Sequence, residues 1–180
     1  MPLAFVRLMA NPIEQFSAKA MGTVKAVVAG FNGLRGVFLH LAEEHGEVSA
    51  LMKRVSKSDD AEVRRSHWPQ IRRELLAHEH GEASQVYSAL REHEATRDIA
   101  IAHEREAGQL EAAVAAVDAH DPASETWVTA FDHVFGLVQR HAETEESVYF
   151  PRAQAAFGEE QTKVLLDRYE AAKKMAKGLV

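Results

Sequence analysis

The sequence predicts an all-α protein: an antiparallel up-down-up-down four-helix bundle, with an extra N-terminal helical segment and a C-terminal helix. Three observations predict it. Glycine (10) and proline (5) are few in 180 residues, so little interrupts helix propagation. Four segments of similar length repeat their apolar residues every three or four positions, the period of a helix with one buried face. The connections between them are short, as between antiparallel neighbours. Residues 1–180 read as a single domain, divided into an extension (1–31), a bundle (33–152) and a C-terminal helix (158–177).

Each element follows from its own pattern. In 12–31, Ile13, Phe16, Ala20, Val24, Val27 and Phe31 form an expected inward stripe, with Met9 and Met21 as core filling. The first bundle helix, about 33–56, carries Leu34, Phe38, Leu41, His45, Val48 and Met52. The second, about 69–91, has Pro69 in its first turn, Ser66 as a cap, and the stripe Ile71, Leu75, His78, Glu82, Val86 and Leu90. The third, about 96–118, carries Ile99, His103, Glu106 or Ala107, Leu110, Val114 and Val117. The fourth, about 124–149, carries Phe131, Val134, Val138, His141, Glu145 and Val148, and is closed by Pro151 and Gly158. Val164, Leu165 and Tyr169 are expected inward on the C-terminal helix, and Trp68 and Trp127 to cap the core near helix starts.

Composition narrows the function classes. A net charge of −6 argues against nucleic acid as a partner. Cysteine is absent, which removes disulfides and thiolate metal sites. No apolar run is long enough for a membrane span, and "MPLAFVRLMANP" has one basic residue and no cleavage pattern. A cytoplasmic protein is expected. There is no nucleophile context and no phosphate loop, since "GFNGLRG" lacks the Walker lysine.

The anomaly is chemical. All four bundle stripes contain a histidine: His45, His78, His103 and His141. Two add a glutamate four residues on, Glu82 and Glu145, one turn away on the same face. Burying such groups unpaired is expensive. Counted from the turns at about 1.5 Å per residue, all six fall near one level of the bundle. A divalent cation would turn the buried carboxylates into ligands, and mixed nitrogen and oxygen donors suit iron, manganese or zinc. Six donors, two of them able to bridge, point to two metals. The other histidines read as surface groups: His67, His93 and His120 near helix ends, His80 and His133 off the stripes, and His40 at the surface or in support. Tyr149 and Phe150 read as packing.

In order, "EEHGEV", "HEHGE", "AHERE" and "HAETEESVYFP" resemble the motifs of the hemerythrin-like, His-His-Glu cation-binding family, over about residues 34–152. The resemblance implies two iron ions (Fe2+/Fe3+) bridged by the two glutamates and an oxygen species, held by His45, His78, Glu82, His103, His141 and Glu145. It implies a protein that binds or senses oxygen, handles peroxide or nitric oxide, or responds to iron, rather than a dedicated enzyme. Its partner would be a small diatomic or peroxide ligand, in a pocket walled by Leu41, Ile99, Leu110 and Val138.

One departure stands out. Oxygen carriers of the family place a second histidine one turn from the first on the third helix, where this chain has Ile99 and Ala107. Glu79 resembles the replacement seen in iron-sensing relatives; Glu106 and Glu44 are further carboxylates nearby. Glu145 lies on the stripe and Glu146 beside it. The alternative function is a metal-stapled (iron or zinc) interaction module without gas chemistry, in which residues 1–31 provide a homodimer or protein-partner surface.

Overall fold

The computed structural model describes residues 12–179. Residues 1–11, Met9 among them, and the side chains of Ile13, Phe16 and Phe31 lie outside the described residues. The described chain is helical, with no strand among these residues. Its order is α1 (Pro12–Phe31), α2 (Gly36–Ser56), α3 (Ala61–Gly81), a π-helical segment Glu82–Tyr87, α4 (Ser88–Glu92), α5 (Arg97–Asp118), α6 (Glu125–Thr144), a second π-helical segment Glu145–Tyr149, and α7 (Phe150–Ala176). In the bundle, α2 packs on α1, α3, α6 and α7, and α5 on α6.

Local chemistry sets the ends. Asp60 caps α3, its Oδ1 accepting from the Glu62 N–H at 2.9 Å. This starts the helix at residue 61, eight positions before Pro69. Ser66 is therefore no cap, and its hydroxyl donates instead to the Val63 carbonyl. Pro69 lies inside the helix on an exposed position, where the backbone carbonyl it leaves without a partner can face water. The earlier start also changes His67, expected near a helix end in solvent. It is buried, with Nδ1 2.8 Å from the Val63 carbonyl oxygen. Ser124 caps α6 by accepting from the Trp127 N–H at 3.1 Å.

The expected stop at Pro151 does not occur. The Phe150 N–H bonds to the Glu145 carbonyl five residues back. Pro151 then falls in the first turn of α7 on an exposed position, where the carbonyl it leaves without a partner can face water. The helical course runs on to Gly158, whose φ of 73° breaks α7 in a conformation that favours glycine.

The stripes of α2, α3 and α5 are buried much as their periodicity requires, though Val48 is only partly covered. Three expectations fail for identifiable reasons. Val148 is exposed, because the π segment widens the turn after Glu145 and brings Phe150 inward in its place. Val164 is exposed because α7 turns Thr162, Leu165, Tyr169 and Lys173 to the core. Ala20, Met21, Val24 and Val27 of α1 are exposed, while Ala18, Gly22 and Ala29 are buried. Small residues let α1 approach α2 closely, so the larger apolar face points outward.

Among the described residues, two apolar clusters form the core. One contains Phe38, Leu41, Tyr87, Ile99 and Phe150. The other contains Met52, Leu75, Leu110, Trp127, Phe131 and Val138. Trp68 and Trp127 belong to the second and meet edge to face, 6.1 Å between ring centroids. On α2, α3, α5 and α6, the histidine of each stripe lies between these clusters.

Candidate metal centre

The two π-helical segments begin at Glu82 and Glu145, each one turn after a histidine. Such segments are rare and frequently occur at functional sites. Here they deliver carboxylates: Glu82 Oε2 lies 3.3 Å from His78 Nε2, and Glu145 Oε2 lies 3.4 Å from His141 Nε2. Both glutamates are wholly buried.

The helices bring all six sequence-selected residues together and add a seventh, Glu79. Its carboxylate is buried, with Oε1 3.1 Å from His103 Nε2 and Oε2 3.9 Å from His141 Nε2. Two donor groups result. His45, His78 and Glu82 form one; Glu79, Glu82, His103 and His141 form the other; within each, one atom per residue lies within 4.8 Å of the rest. Glu82 belongs to both. Glu145 also spans them, with Oε2 3.2 Å from His45 Nε2 as well as near His141.

The four Nε2 atoms point inward because Nδ1 or the ring face is held from behind. His45 Nδ1 lies 2.9 Å from Glu146, His78 Nδ1 2.8 Å from Glu44, and His141 Nδ1 3.0 Å from Glu106. A carboxylate in that place fixes the tautomer and ring orientation of a metal-binding imidazole. Glu44, Glu106 and Glu146 thus stand outside the histidines. His103 is held by stacking on Tyr87. His40 joins the support through Glu44, at 3.1 Å.

The three tyrosines of the chain each donate to a carboxylate here. Tyr87 donates to Glu145, Tyr149 to Glu106 at 2.9 Å, and Tyr169 to Glu44 at 2.5 Å. Tyr149 therefore does more than pack. In the sequence, "HEHGEASQVY" and "HAETEESVYF" share a histidine, a glutamate four residues on and a following aromatic, with no role for Tyr87 assigned; Tyr87 lies five residues after Glu82, as Phe150 does after Glu145. One π turn explains both spacings.

The electrostatics show how tightly charge is confined. Burial pushes the Glu79 carboxyl up, with Glu82 and Glu145 adding to the rise against the pull of His103 and His141. Burial would also raise Glu82, but His78, His103 and His141 hold it well below the carboxylate range. Burial opposes a charge on His78, yet Glu82 and Glu44 lift it to about 10. Burial pushes the Tyr87 hydroxyl far up, reinforced by Glu145 and Glu82.

Among the described residues, the buried side-chain nitrogens and oxygens without a hydrogen-bond partner are the Nε2 atoms of His45, His78, His103 and His141 and oxygens of Glu79, Glu82 and Glu145. Buried polar atoms are normally satisfied. Their concentration at one place, as imidazole and carboxylate donors, is the chemistry a pair of divalent cations would satisfy. A cavity of about 290 Å³ reaches the centre past His45, His78, Glu79 and His141. Leu110 and Val138 line it, as expected; Leu41 and Ile99 instead belong to the cluster on the other side.

No helix among the described residues is long and apolar enough to cross a membrane. No curated protein and no solved structure matches the chain. One family model does match, that of the hemerythrin HHE cation-binding domain, over residues 37–153.

Proposed function

Since the chain belongs to the hemerythrin HHE cation-binding family, we propose that it is a non-heme di-iron protein that binds or senses oxygen, or handles peroxide or nitric oxide, or responds to iron. We read the four histidine-bearing helices as the antiparallel up-down-up-down bundle. His45, His78 and Glu82 would hold one iron; Glu79, His103 and His141, with Glu82 shared, would hold the other; Glu145 would serve both. The observation that carries this is the set of buried, unpartnered donor atoms on seven residues. Iron held there supplies one-electron redox chemistry and affinity for small ligands.

The protein's own part is orientation and access. Glu44, Glu106 and Glu146 keep each Nε2 lone pair aimed inward, and Tyr87 holds one oxygen of Glu145. The cavity lets a small ligand or ion reach the centre, with Leu75, Leu110 and Val138 as apolar wall. We read Glu79 as the replacement for the second histidine that oxygen carriers of the family place on the third bundle helix. An oxygen-rich donor set favours the ferric state, hence sensing or redox chemistry over reversible carriage. Elemental analysis of tag-free protein should give two irons per chain, with near-ultraviolet absorption. A stable, reversible oxygen complex would overturn the preference for sensing.

A second reading is a metal-stapled interaction module, and the exposed apolar face of α1 favours it: Met21, Val24, Val27 and Val28 are each more than half exposed. Here the cation, iron or zinc, only holds the fold, and α1 meets a second copy or another protein. A colourless zinc form as isolated would support it.

A further inference from the structure

The family match covers residues 37–153. The helix α1 and the part of α7 beyond Gly158 fall outside it, yet both reach the centre. At the crossing of α1 and α2, a Cβ on Gly46 would lie 2.9 Å from Gly22 Cα, and one on Gly22 would lie 2.5 Å from Glu47 Cγ. Only residues without side chains permit so near a passage. It brings the Lys25 ammonium to Glu146 Oε1 at 2.5 Å, and that oxygen is 2.9 Å from His45 Nδ1.

The distal part of α7 does the same elsewhere. The Tyr169 ring lies against Gly81, where an added Cβ would be 2.7 Å from Cε2. One turn on, Lys173 Nζ donates to Glu44 Oε2 at 2.6 Å, the oxygen that lies 2.8 Å from His78 Nδ1. The side chain of Lys173 is only 9 % exposed. Burying an ammonium is costly unless it is paired, and an apolar residue would fill that core position at less cost.

The two relays have one form, lysine to glutamate to histidine. Their histidines, His45 and His78, belong to the same donor group with Glu82. Glu44 also accepts from Tyr169, as Glu106 does from Tyr149, but no lysine stands behind the other group among the described residues: His141 is backed by Glu106 with Tyr149, and His103 by the ring of Tyr87. A glutamate on a flexible stem holds an imidazole only while it stays in place, and a paired ammonium keeps it there.

We propose that Lys25 and Lys173 are positioning residues for one of the two cations: the flanking helices clamp Glu146 and Glu44 behind His45 and His78, and so set the affinity of that position separately from its neighbour. This rests on the two-cation reading above. The test is an anaerobic titration of the metal-free, full-length protein with cobalt(II), followed by visible absorption and calorimetry. Wild-type protein should take up two cobalt ions per chain. Lys25→Met and Lys173→Met should each weaken one binding event roughly 10- to 100-fold and leave the other unchanged. Lys25→Arg and Lys173→Arg should restore it. Glu146→Gln and Glu44→Gln, which cut the same relays nearer the histidines, should reproduce the selective loss. Melting of each metal-free variant, followed by circular dichroism, separates a folding defect from a binding one. Wild-type uptake of fewer than two ions overturns the two-cation reading. Uptake of two ions that is unaffected by the lysine and glutamate variants, or weakened equally in both events, overturns the clamp.

Discussion

Tyr87 lies flat on His103, with ring centroids 3.4 Å apart and planes within 16° of parallel, while its hydroxyl donates to Glu145. One side chain thus braces an imidazole of α5 and a carboxylate just beyond α6. Tyr87→Phe keeps the stack and removes the hydroxyl. Metal affinity should fall roughly 10-fold, and the metal-free protein should lose about 1 kcal/mol. Tyr87→Ala also opens a cavity and should cost about 3–5 kcal/mol. Chemical denaturation with chelator, beside a metal titration, checks both; equal effects from the two substitutions would refute the division.

Glu79 and Glu82 should separate the two donor groups. Glu79→Gln affects one group, so bound metal should fall from two ions to one per chain. Glu82→Gln affects both and should abolish tight binding. The metal-free proteins should behave otherwise. Burial and the neighbouring carboxylates oppose a charge on Glu79, so Glu79→Gln should stabilise that form by about 0.5–2 kcal/mol. Elemental analysis and thermal melts read the two effects independently.

The histidine charges give a pH signature. Burial lowers the His78 pKa, but Glu82 and Glu44 raise it to about 10, above its ordinary value of 6.5. A folded-state pKa raised in this way stabilises fully below about 6.5 and is lost as pH climbs through about 10. His45, His103 and His141 are shifted in the same direction, each against the opposing effect of burial and through its carboxylate partners. In chelator, the melting temperature should therefore drop from pH 6.5 to 10. Metal displaces these protons, so its affinity should rise over the same interval. A melting temperature that is flat or rising with pH would contradict the assignment.

Gly81→Ala tests the seat of α7. The added methyl would meet the Tyr169 ring at 2.7 and 2.8 Å. Overpacking of this kind costs about 1–3 kcal/mol, and the displaced Tyr169 would release Glu44. Hydrogen exchange should show α7 beyond Gly158 opening more readily. Exchange as slow as in the wild type would show that the contact yields without consequence.

The helices and the buried faces of α2, α3 and α5 were legible because a 3.6-residue period reports directly on burial. That period still placed Val86 and Leu90 correctly through the first π turn, but it failed in the second. It misplaced Val148 because the assignment assumes no extra residue in the turn, and it gave no role to Tyr87, the aromatic that closes "HEHGEASQVY". On α1, residue size misled: Val24 and Val27 looked like core, but the close approach at Gly22 decided which face was covered. Glu44, Glu106 and Glu146 were visible as candidates near histidines. Whether a carboxylate stands in front of an imidazole or behind it depends on rotation within one turn, which spacing alone does not fix.

The two apolar clusters meet across a layer of imidazoles and carboxylates, and this layer bears on folding cooperativity. Without cations, only polar contacts among the histidines and glutamates and the brace of Tyr87 join the halves at that layer among the described residues, so Trp127 and Phe38 can report separate unfolding transitions. Cations held by Glu82 and Glu145 would tie four helices together there, and the chain should then melt as one unit.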